Sequence, residues 1–346
     1  MNINKSLSVN ELQRFGAVDG DVADQTRALL KQQKSVWQQL ADGYKSLDTV
    51  RTRVFDFDSF SLKIQFNPGR ITSSSAKVDK KSIKERKCFL CLENLPPDQR
   101  GISYNTDYLI LCNPFPIFPE HFTIPHIRHI AQLIKGAFDV LLDLSKDMGK
   151  YYTVFYNGPG CGASAPDHLH FQAGNKGFML IEKQFDPLKK SFGTELFSKN
   201  ELHIFAIDDT LRRFISIESS NKNSIETVFD IFYSVYERYA GNDEEPMLNI
   251  ISSYDISSGI FRILLIPRGK HRPSFYYSEG DDKILLSPAS VDFGGVLITP
   301  VEKDFNRLTK EHIVQTFNEV SIDRDAFRKI TTLYKEELKN YERKKQ

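Results

Sequence analysis

No run of 18 apolar residues occurs in this 346-residue chain, so the sequence offers no membrane-spanning helix. Charge of one sign is missing too. Lys and Arg number 46 against 45 Asp and Glu, a net charge of +1, and no field favours nucleic acid as a partner. Cysteine is sparse: the four present, two of them in Cys88-x-x-Cys91, do not make a disulfide framework, and there is no second Cys-x-x-Cys. The first residues, Met1-Asn2-Ile3-Asn4-Lys5, lack the apolar stretch of a signal peptide, and a reducing cytoplasm is the expected setting. What is present, 40% apolar and 26% charged residues, fits a globular protein of one large or two ordinary domains.

The richest segment is Pro166-Asp167-His168-Leu169-His170-Phe171-Gln172-Ala173-Gly174. Two histidines and a glutamine recur at every second position, with Leu169 and Phe171 between them. In a strand such neighbours point to opposite faces, so the polar three share a face at spacings of about 6–7 Å and the apolar face packs on a core. Just upstream is Asn157-Gly158-Pro159-Gly160-Cys161-Gly162-Ala163-Ser164, whose glycines let main-chain N–H groups approach an anion closely. A lone His-x-His on a half-exposed strand is commonplace. Here Gln172, Ser164, Asn157 and the glycines accompany it, which points to nucleophilic attack on phosphorus.

His-Leu-His-Phe-Gln resembles the His-x-His-x-Gln signature of the transferase branch of the histidine triad superfamily, the branch of galactose-1-phosphate uridylyltransferases, diadenosine polyphosphate phosphorylases and GDP-hexose phosphorylases. It also resembles an uncharacterised bacterial family with the same core. The resemblance is dense over residues 65–174 and weaker afterwards. It implies that the middle histidine, His170, attacks an α-phosphorus and carries the nucleotide covalently. The chemistry of the side chains agrees. A neutral imidazole is nucleophilic near pH 7, and a covalent intermediate divides a displacement between two anions into easier steps. An amide at Gln172 donates a hydrogen bond to a phosphoryl oxygen but cannot protonate a leaving group. A phosphate leaving group needs no proton, so transfer to an acceptor phosphate is favoured over transfer to water.

The remaining expectations follow the chain. Residues 22–47 read as a packing or dimer helix, and residues 53–66 as a strand or hairpin. Gln65-Phe66-Asn67-Pro68-Gly69-Arg70 is a turn signal, and it is also similar to a GDP-hexose phosphorylase segment in which Arg70 would grip a phosphate. Residues 72–87 read as an exposed loop. Cys88 and Cys91 can clasp one metal from a tight turn. The uridylyltransferase resemblance implies a structural zinc on Cys88, Cys91, His129 and His168, with His121 and His126 competing for the third place; two reduced structural cysteines are the alternative. Asn113-Pro114-Phe115-Pro116 is a proline-bound loop. The resemblance sets base and ribose against it, with Asn113, Phe115 and Pro116 as contacts beside Asn157, Gly160 and Gly162, a rigid turn without a ligand being the alternative. Residues 133–148 read as a helix, 178–181 as a strand, and 224–240 as a helix closed by Gly241.

In the second half Ile266-Pro267-Arg268-Gly269-Lys270-His271-Arg272 loosely repeats Ile124-Pro125-His126-Ile127-Arg128-His129. Arg268, Lys270 and Arg272 are candidates to hold an acceptor phosphate, an exposed charged loop being the plainer reading. No second His-x-His-x-Gln exists, so one half would do the covalent chemistry. The fold class expected is α+β, two fused histidine-triad-like halves with antiparallel sheets backed by helices. The units expected are a helical segment 1–50, a catalytic half 51–195, a degenerate half 196–306 and a helical tail 307–346.

The function expected is a nucleotidyltransferase or phosphorylase acting on a nucleoside diphosphate sugar, GDP-hexose first, with phosphate or a sugar phosphate as acceptor. Catalysis would fall to His170, His168, Gln172 and Ser164, with Gln172 and Ser164 holding non-bridging oxygens and His168 either orienting His170 or binding zinc, and with no organic cofactor. A diadenosine polyphosphate phosphorylase is the alternative within the class. A silent nucleotide sensor and a zinc-stabilised interaction protein are the alternatives outside it. Relatives are often dimers, so a homodimer is compatible with the resemblance.

Overall fold

A computed structural model describes residues 5–71, 79–241 and 245–343. Expectations touching residues 1–4, 72–78 and 344–346 therefore lie outside the described residues. The helix expected over 22–47 is two, Val22–Val36 and Gln38–Lys45, because Trp37 between them is extended (φ −116°, ψ 98°). Strands β1 (Arg51–Asp56) and β2 (Ser61–Phe66) form the anticipated hairpin. Part of the expected 72–87 loop is instead a short helix, Lys80–Glu85, capped by the Asp79 carboxylate, which accepts from Ser82 N–H at 2.9 Å.

Next come β3 (Gly101–Tyr104), β4 (Tyr108–Cys112) and β5 (His121–Pro125). A helix, Phe138–Asp147, follows, shorter at its start than expected, and then β6 (Tyr152–Asn157) and β7 (His170–Asn175). The same sequence of parts recurs: β8 (Gly193–Lys199), β9 (Leu202–Asp208), β10 (Arg213–Ser219), a helix Lys222–Ala240, then β11 (Leu248–Asp255) and β12 (Ile260–Pro267). The strand expected at 178–181 is the start of a helix, Leu180–Phe192, and β8 went unread. Gly241 closes its helix as anticipated, at φ +63°.

One ten-stranded antiparallel sheet results, in the order β3-β4-β5-β7-β6-β11-β12-β10-β9-β8. Each half contributes five strands in the same internal order, and β6 pairs with β11 where the halves meet (Asn157 opposite Asn249). The expected duplication is present, with the two sheets fused edge to edge. Its internal alignment differs from the sequence likeness, however. Ile124-Pro125 ends β5, whose counterpart is β10, whereas Ile266-Pro267 ends β12, the counterpart of β7. Where the first half has its glycine loop and histidines between β6 and β7, the second has only a short turn closed by Gly259 (φ +72°).

Alternation sorts the two faces. Val154, Tyr156, Leu169, Phe171 and Ala173 enter a core beneath the helices Phe138–Asp147, Lys222–Ala240 and Arg324–Arg343. On the other face Phe155, Ile251 and Leu264 meet a three-stranded layer, β1-β2-β13, in which β13 (Val296–Thr299) runs parallel to β2. His170 and Gln172 share this second face, and the cavity described next opens between the two layers. Among the described residues no helix is long and apolar enough to cross a membrane.

Candidate active site

The nucleophile candidate is built into the first residue of β7. His170 is 3% exposed, and its Nδ1 lies 2.8 Å from the carbonyl of His168. A carbonyl only accepts, so Nδ1 carries the proton and Nε2 keeps its lone pair. Burial holds the ring down to a pKa of about 4, so it is neutral at pH 7. Its main chain is locked from both sides by one buried side chain: Gln132 Oε1 accepts from His170 N–H at 2.7 Å, and Gln132 Nε2 donates to the His170 carbonyl at 3.1 Å. Sequence reading missed Gln132, which sits in an aperiodic stretch with no signal to find it by.

Gln172 sits two residues on, between Thr123 of β5 and Phe155 of β6. Its Oε1 lies 3.1 Å from His121 Nε2, while His121 Nδ1 accepts the Ile117 N–H at 3.2 Å. The acceptor role of Nδ1 forces the proton onto Nε2, which donates to Gln172 Oε1, and the amide NH2 is thereby turned to the remaining side. Burial, with the Arg70 cation nearby, lowers the His121 pKa to about 3, so this tautomer chain holds at neutral pH. His121, entertained above as a metal ligand, instead positions the glutamine.

The glycine loop is pinned from the second half. Asn157 Oδ1 accepts from Asn249 Nδ2 at 3.0 Å and from Ser290 N–H and Oγ at 2.9 and 2.7 Å. That leaves Asn157 Nδ2 as the group able to meet a ligand. Asn249 Nδ2 also donates to the Cys161 carbonyl at 2.8 Å. Gly162 adopts φ +108°, and a Cβ there would come within 2.5 Å of Ala289 Cβ, so no other residue fits. The main-chain N–H groups of Gly162, Ala163 and Ser164 make no internal hydrogen bond among the described residues, and all three line the cavity. Gly160 stands outside it, against Met247.

Beneath the loop a buried carboxylate joins the scaffold. Glu245 accepts from Ile134 N–H, and its other oxygen lies 2.6 Å from Tyr156 Oη, which in turn reaches the Gln132 carbonyl at 3.1 Å. Burial raises its pKa from 4.5 to about 7. The folded state therefore binds the extra proton in that window, and stability falls as pH rises through it. Glu245→Gln is expected to remove this loss, on the order of 1–3 kcal/mol between pH 5 and 8. Urea melts at the two pH values check it; parallel profiles for variant and parent would contradict it.

Gln65, Asn67 and Arg70 act together on the proline-rich turn. Their side chains donate in turn to the carbonyls of Ile117, Pro116 and Phe115 at 3.3, 3.0 and 2.7 Å. The segment is thus a clamp first, and Arg70 also brings its charge to the cavity wall. Asn113 likewise holds the turn, accepting from Phe115 N–H at 2.9 Å and donating to Thr123 Oγ1 at 3.1 Å. The cavity measures about 730 Å³ and its wall includes His170, Gln172, Asn157, Ser164, Asn113 and Phe115. The wall also includes Trp37 and Gln39, from the N-terminal helices in which no chemistry had been read.

The role expected of Arg268 and Lys270 changes, whereas His168 stands where it can orient His170 and join the cysteines. His168 is absent from the cavity wall: it is fully buried, turned toward the cysteines, and serves His170 through its main-chain carbonyl. Arg268 cannot meet an acceptor phosphate. Its Nε donates to the Val320 carbonyl, Nη1 to Asn249 Oδ1 and the Pro288 carbonyl, and Nη2 to the carbonyls of Lys270 and His271, which uses every N–H. Lys270 does not line the cavity either, whereas Arg272 does.

Cys88, Cys91, His129 and His168 converge, with ligand atoms all within 4.8 Å of one another. Cys88 Sγ lies 3.3 Å and Cys91 Sγ 3.7 Å from His168 Nδ1, and Cys91 Sγ lies 3.2 Å from His129 Nδ1. Ligands at zinc's usual bond lengths around a tetrahedron stand roughly 3.3–3.8 Å apart, so these donors fit a metal. Both imidazoles are oriented from behind: His168 Nε2 donates to the His126 carbonyl at 2.7 Å, and His129 Nε2 faces the Asp167 carboxylate at 3.5 Å. His126 directs Nδ1 to its own turn, accepting from Arg128 N–H at 3.0 Å.

Two family models match the chain in succession. One, for a domain of unknown function (DUF4922), covers residues 29–175, and one for the C-terminal domain of GDPGP1-like proteins covers residues 187–341. Yeast Ap4A phosphorylase Apa2 in complex with AMP shares the architecture, with a TM-score of 0.51 and 17% identity over 83% of this chain and 96% of that one. The chain therefore shares the fold of that enzyme. The same yeast enzyme in complex with Ap4A gives a TM-score of 0.49 at 16% identity, covering 84% of this chain and 97% of its own. A DUF4931 family protein from Bacillus cereus gives 0.36 at 12%, covering 68% and 99%. No curated protein matches the chain. Within this shared fold the first half holds the intact His-x-His-x-Gln, and the second half supplies the back wall of the glycine loop.

Proposed function

We propose that the protein is a nucleotidyl-transferring phosphorylase that works through a nucleotidyl-histidine intermediate on His170. The observation that carries this reading is the pairing of a neutral, Nδ1-protonated imidazole with a glutamine amide whose NH2 is aimed by His121. Donor phosphates lie over the N–H groups of Gly162, Ala163 and Ser164. His170 Nε2 attacks the α-phosphorus, the Nε2–P bond forms, and the P–O bond to the distal phosphate fragment breaks. An oxygen of an incoming phosphate then attacks the same phosphorus, and the electron pair of the Nε2–P bond returns to the ring. Gln172 and the loop N–H groups hold the non-bridging oxygens, whose charge they stabilise most in the transition state.

A nucleoside diphosphate sugar, GDP-hexose first, is the favoured donor, and the GDPGP1-like match over the second half supports it. A dinucleoside polyphosphate is the second reading, supported by the likeness to a yeast Ap4A phosphorylase. Zinc is the metal that the two thiolates and two imidazoles suit, with a structural role: it would fasten the 88–91 turn to the segment that leads into the nucleophile. Free cysteines at all four positions suit a reducing, cytoplasmic setting.

Incubation with GDP-, UDP- and ADP-sugars and with diadenosine tetraphosphate, with and without phosphate, tests the reading. Phosphate-dependent release of a nucleoside diphosphate from one donor is the expected result, and no turnover of any donor would count for the silent sensor. Gln172→Ala is expected to lower kcat about 10²–10³-fold, as removal of one donor to developing charge does elsewhere. His121→Ala should lower it less, since it frees the amide without deleting it. Equal kcat in the Gln172 variant and the parent would remove the glutamine from the mechanism.

A further inference from the structure

The wall of the cavity is more cationic than one nucleotide α-phosphate requires. It carries the guanidinium groups of Arg70, Arg86 and Arg272, of which Arg86 is paired with Asp167 at 2.9 Å, and the neutral imidazoles of His170 and His271, against a single lining carboxylate, Asp292. That carboxylate is already engaged, accepting the N–H groups of Ala289 and Ile298 at 2.9 and 3.0 Å. Arg272 and the neutral His271 come from the second half, and topology explains how they arrive. Because β6 and β11 pair antiparallel with Asn157 opposite Asn249, the end of β12 emerges beside the end of β6 and its glycine loop. Arg268, the first residue beyond β12, turns inward and binds the carbonyls of Lys270 and His271 at 3.0 and 3.1 Å. The chain is thereby curled back, and the next two side chains reach the cavity.

Those side chains are fixed in different ways. The Arg272 guanidinium lies over the Tyr276 ring at 4.1 Å, and its Nε donates to Ser287 Oγ at 2.9 Å. The His271 ring, half-buried, has no hydrogen-bond partner among the described residues. A half-buried imidazole without a protein partner, beside an oriented guanidinium, in the same cavity as the nucleophile, is an arrangement that a tetrahedral anion completes. Burial, with Arg272 and Arg268 nearby, keeps that ring neutral, down to a pKa of about 3, and an anion beside it would raise it.

We propose that His271 and Arg272 form the subsite for the second phosphoryl group, the acceptor that removes the nucleotide from His170. The proposal rests on the reading in which His170 carries the nucleotide. The acceptor would be a phosphate dianion or a phosphate monoester, which share this chemistry. Its oxygen attacks the His170-bound phosphorus, the new P–O–P link forms, and the P–Nε2 bond breaks. The subsite also accounts for transfer to phosphate over transfer to water, since water gains nothing from either side chain.

Two measurements test it on the full chain. In the first, inorganic phosphate and, separately, glucose 1-phosphate are titrated into the resting protein by calorimetry. Arg272→Ala and His271→Ala, each checked by thermal melting, should weaken one of these anions about tenfold or more. The anion more strongly affected identifies the acceptor. In the second, the isolated His170 adduct is mixed with that anion. The half-saturating concentration for release should rise by a similar factor in each variant, while slow decay of the adduct in water is unchanged. Unaltered affinity for both anions in both folded variants would overturn the subsite, as would release with unaltered anion dependence. If no adduct ever forms on the parent protein, the functional reading fails on its own, and the titration alone decides whether the anion site exists.

Discussion

His170→Ala is expected to lower nucleotidyl transfer by at least about 10⁴-fold while leaving the fold in place. The ring's hydrogen bond runs to the carbonyl two residues earlier, so truncation opens a small space in a cavity wall and breaks no link between elements. The main-chain bonds of residue 170 to Gln132 survive the change. Donor affinity should therefore stay within a few fold, and the melting temperature should barely move. The first half-reaction, release of the distal phosphate fragment without acceptor, should vanish together with the complete reaction. Rapid-quench measurements of both, beside a thermal melt, check the result. A folded variant within tenfold of the parent would mean that some other group receives the nucleotide.

Loss of the metal is the second large effect. Cys88→Ser combined with Cys91→Ser should reduce bound zinc from about one equivalent to less than a tenth and lower the melting temperature by roughly 5–10 °C. A site saturated a thousandfold contributes about 4 kcal/mol, and a chain of this size converts that into such a shift. Activity should fall as well, because the cluster fixes His168, whose carbonyl selects the tautomer of the nucleophile. Chelation of the parent protein should reproduce both losses and added zinc should restore them. A metal-free protein with unchanged melting and turnover would leave Cys88 and Cys91 as buried thiols with no such role.

Much of the site was legible because the chemistry lies in one short run. Period-two alternation assigned Leu169 and Phe171 to the core and Gln172 to the other face, as found. The likeness to uridylyltransferases puts His129 in the cysteine cluster but leaves His121 and His126 competing for that place, and the structure brings His129 there. Alternation failed at His168, which precedes the regular strand, and whose ring follows the cysteines and not the pleat. The second half was harder. A basic cluster in sequence does not reveal that Arg268 turns inward while Arg272 turns to the cavity, since the carbonyls that capture Arg268 belong to residues 249–320 in space. Residues 178–181 were read as a strand because four apolar residues carry no period of their own. They enter a helix whose start donates Ile181 N–H to the Gly294 carbonyl at 2.9 Å. Gln132 and Trp37 act by position alone, one under the nucleophile and the other at the break between two helices, and neither leaves a local pattern.

The account turns on a bond between His170 Nε2 and phosphorus, and mass spectrometry of a rapidly quenched reaction sees that bond directly. With the productive donor and no acceptor, the peptide bearing residue 170 should gain the mass of one nucleoside monophosphate, fragmentation should place it on that imidazole, and added phosphate should remove it. A donor that turns over at full rate with no modified peptide, or with the nucleotide on another residue, would contradict the account.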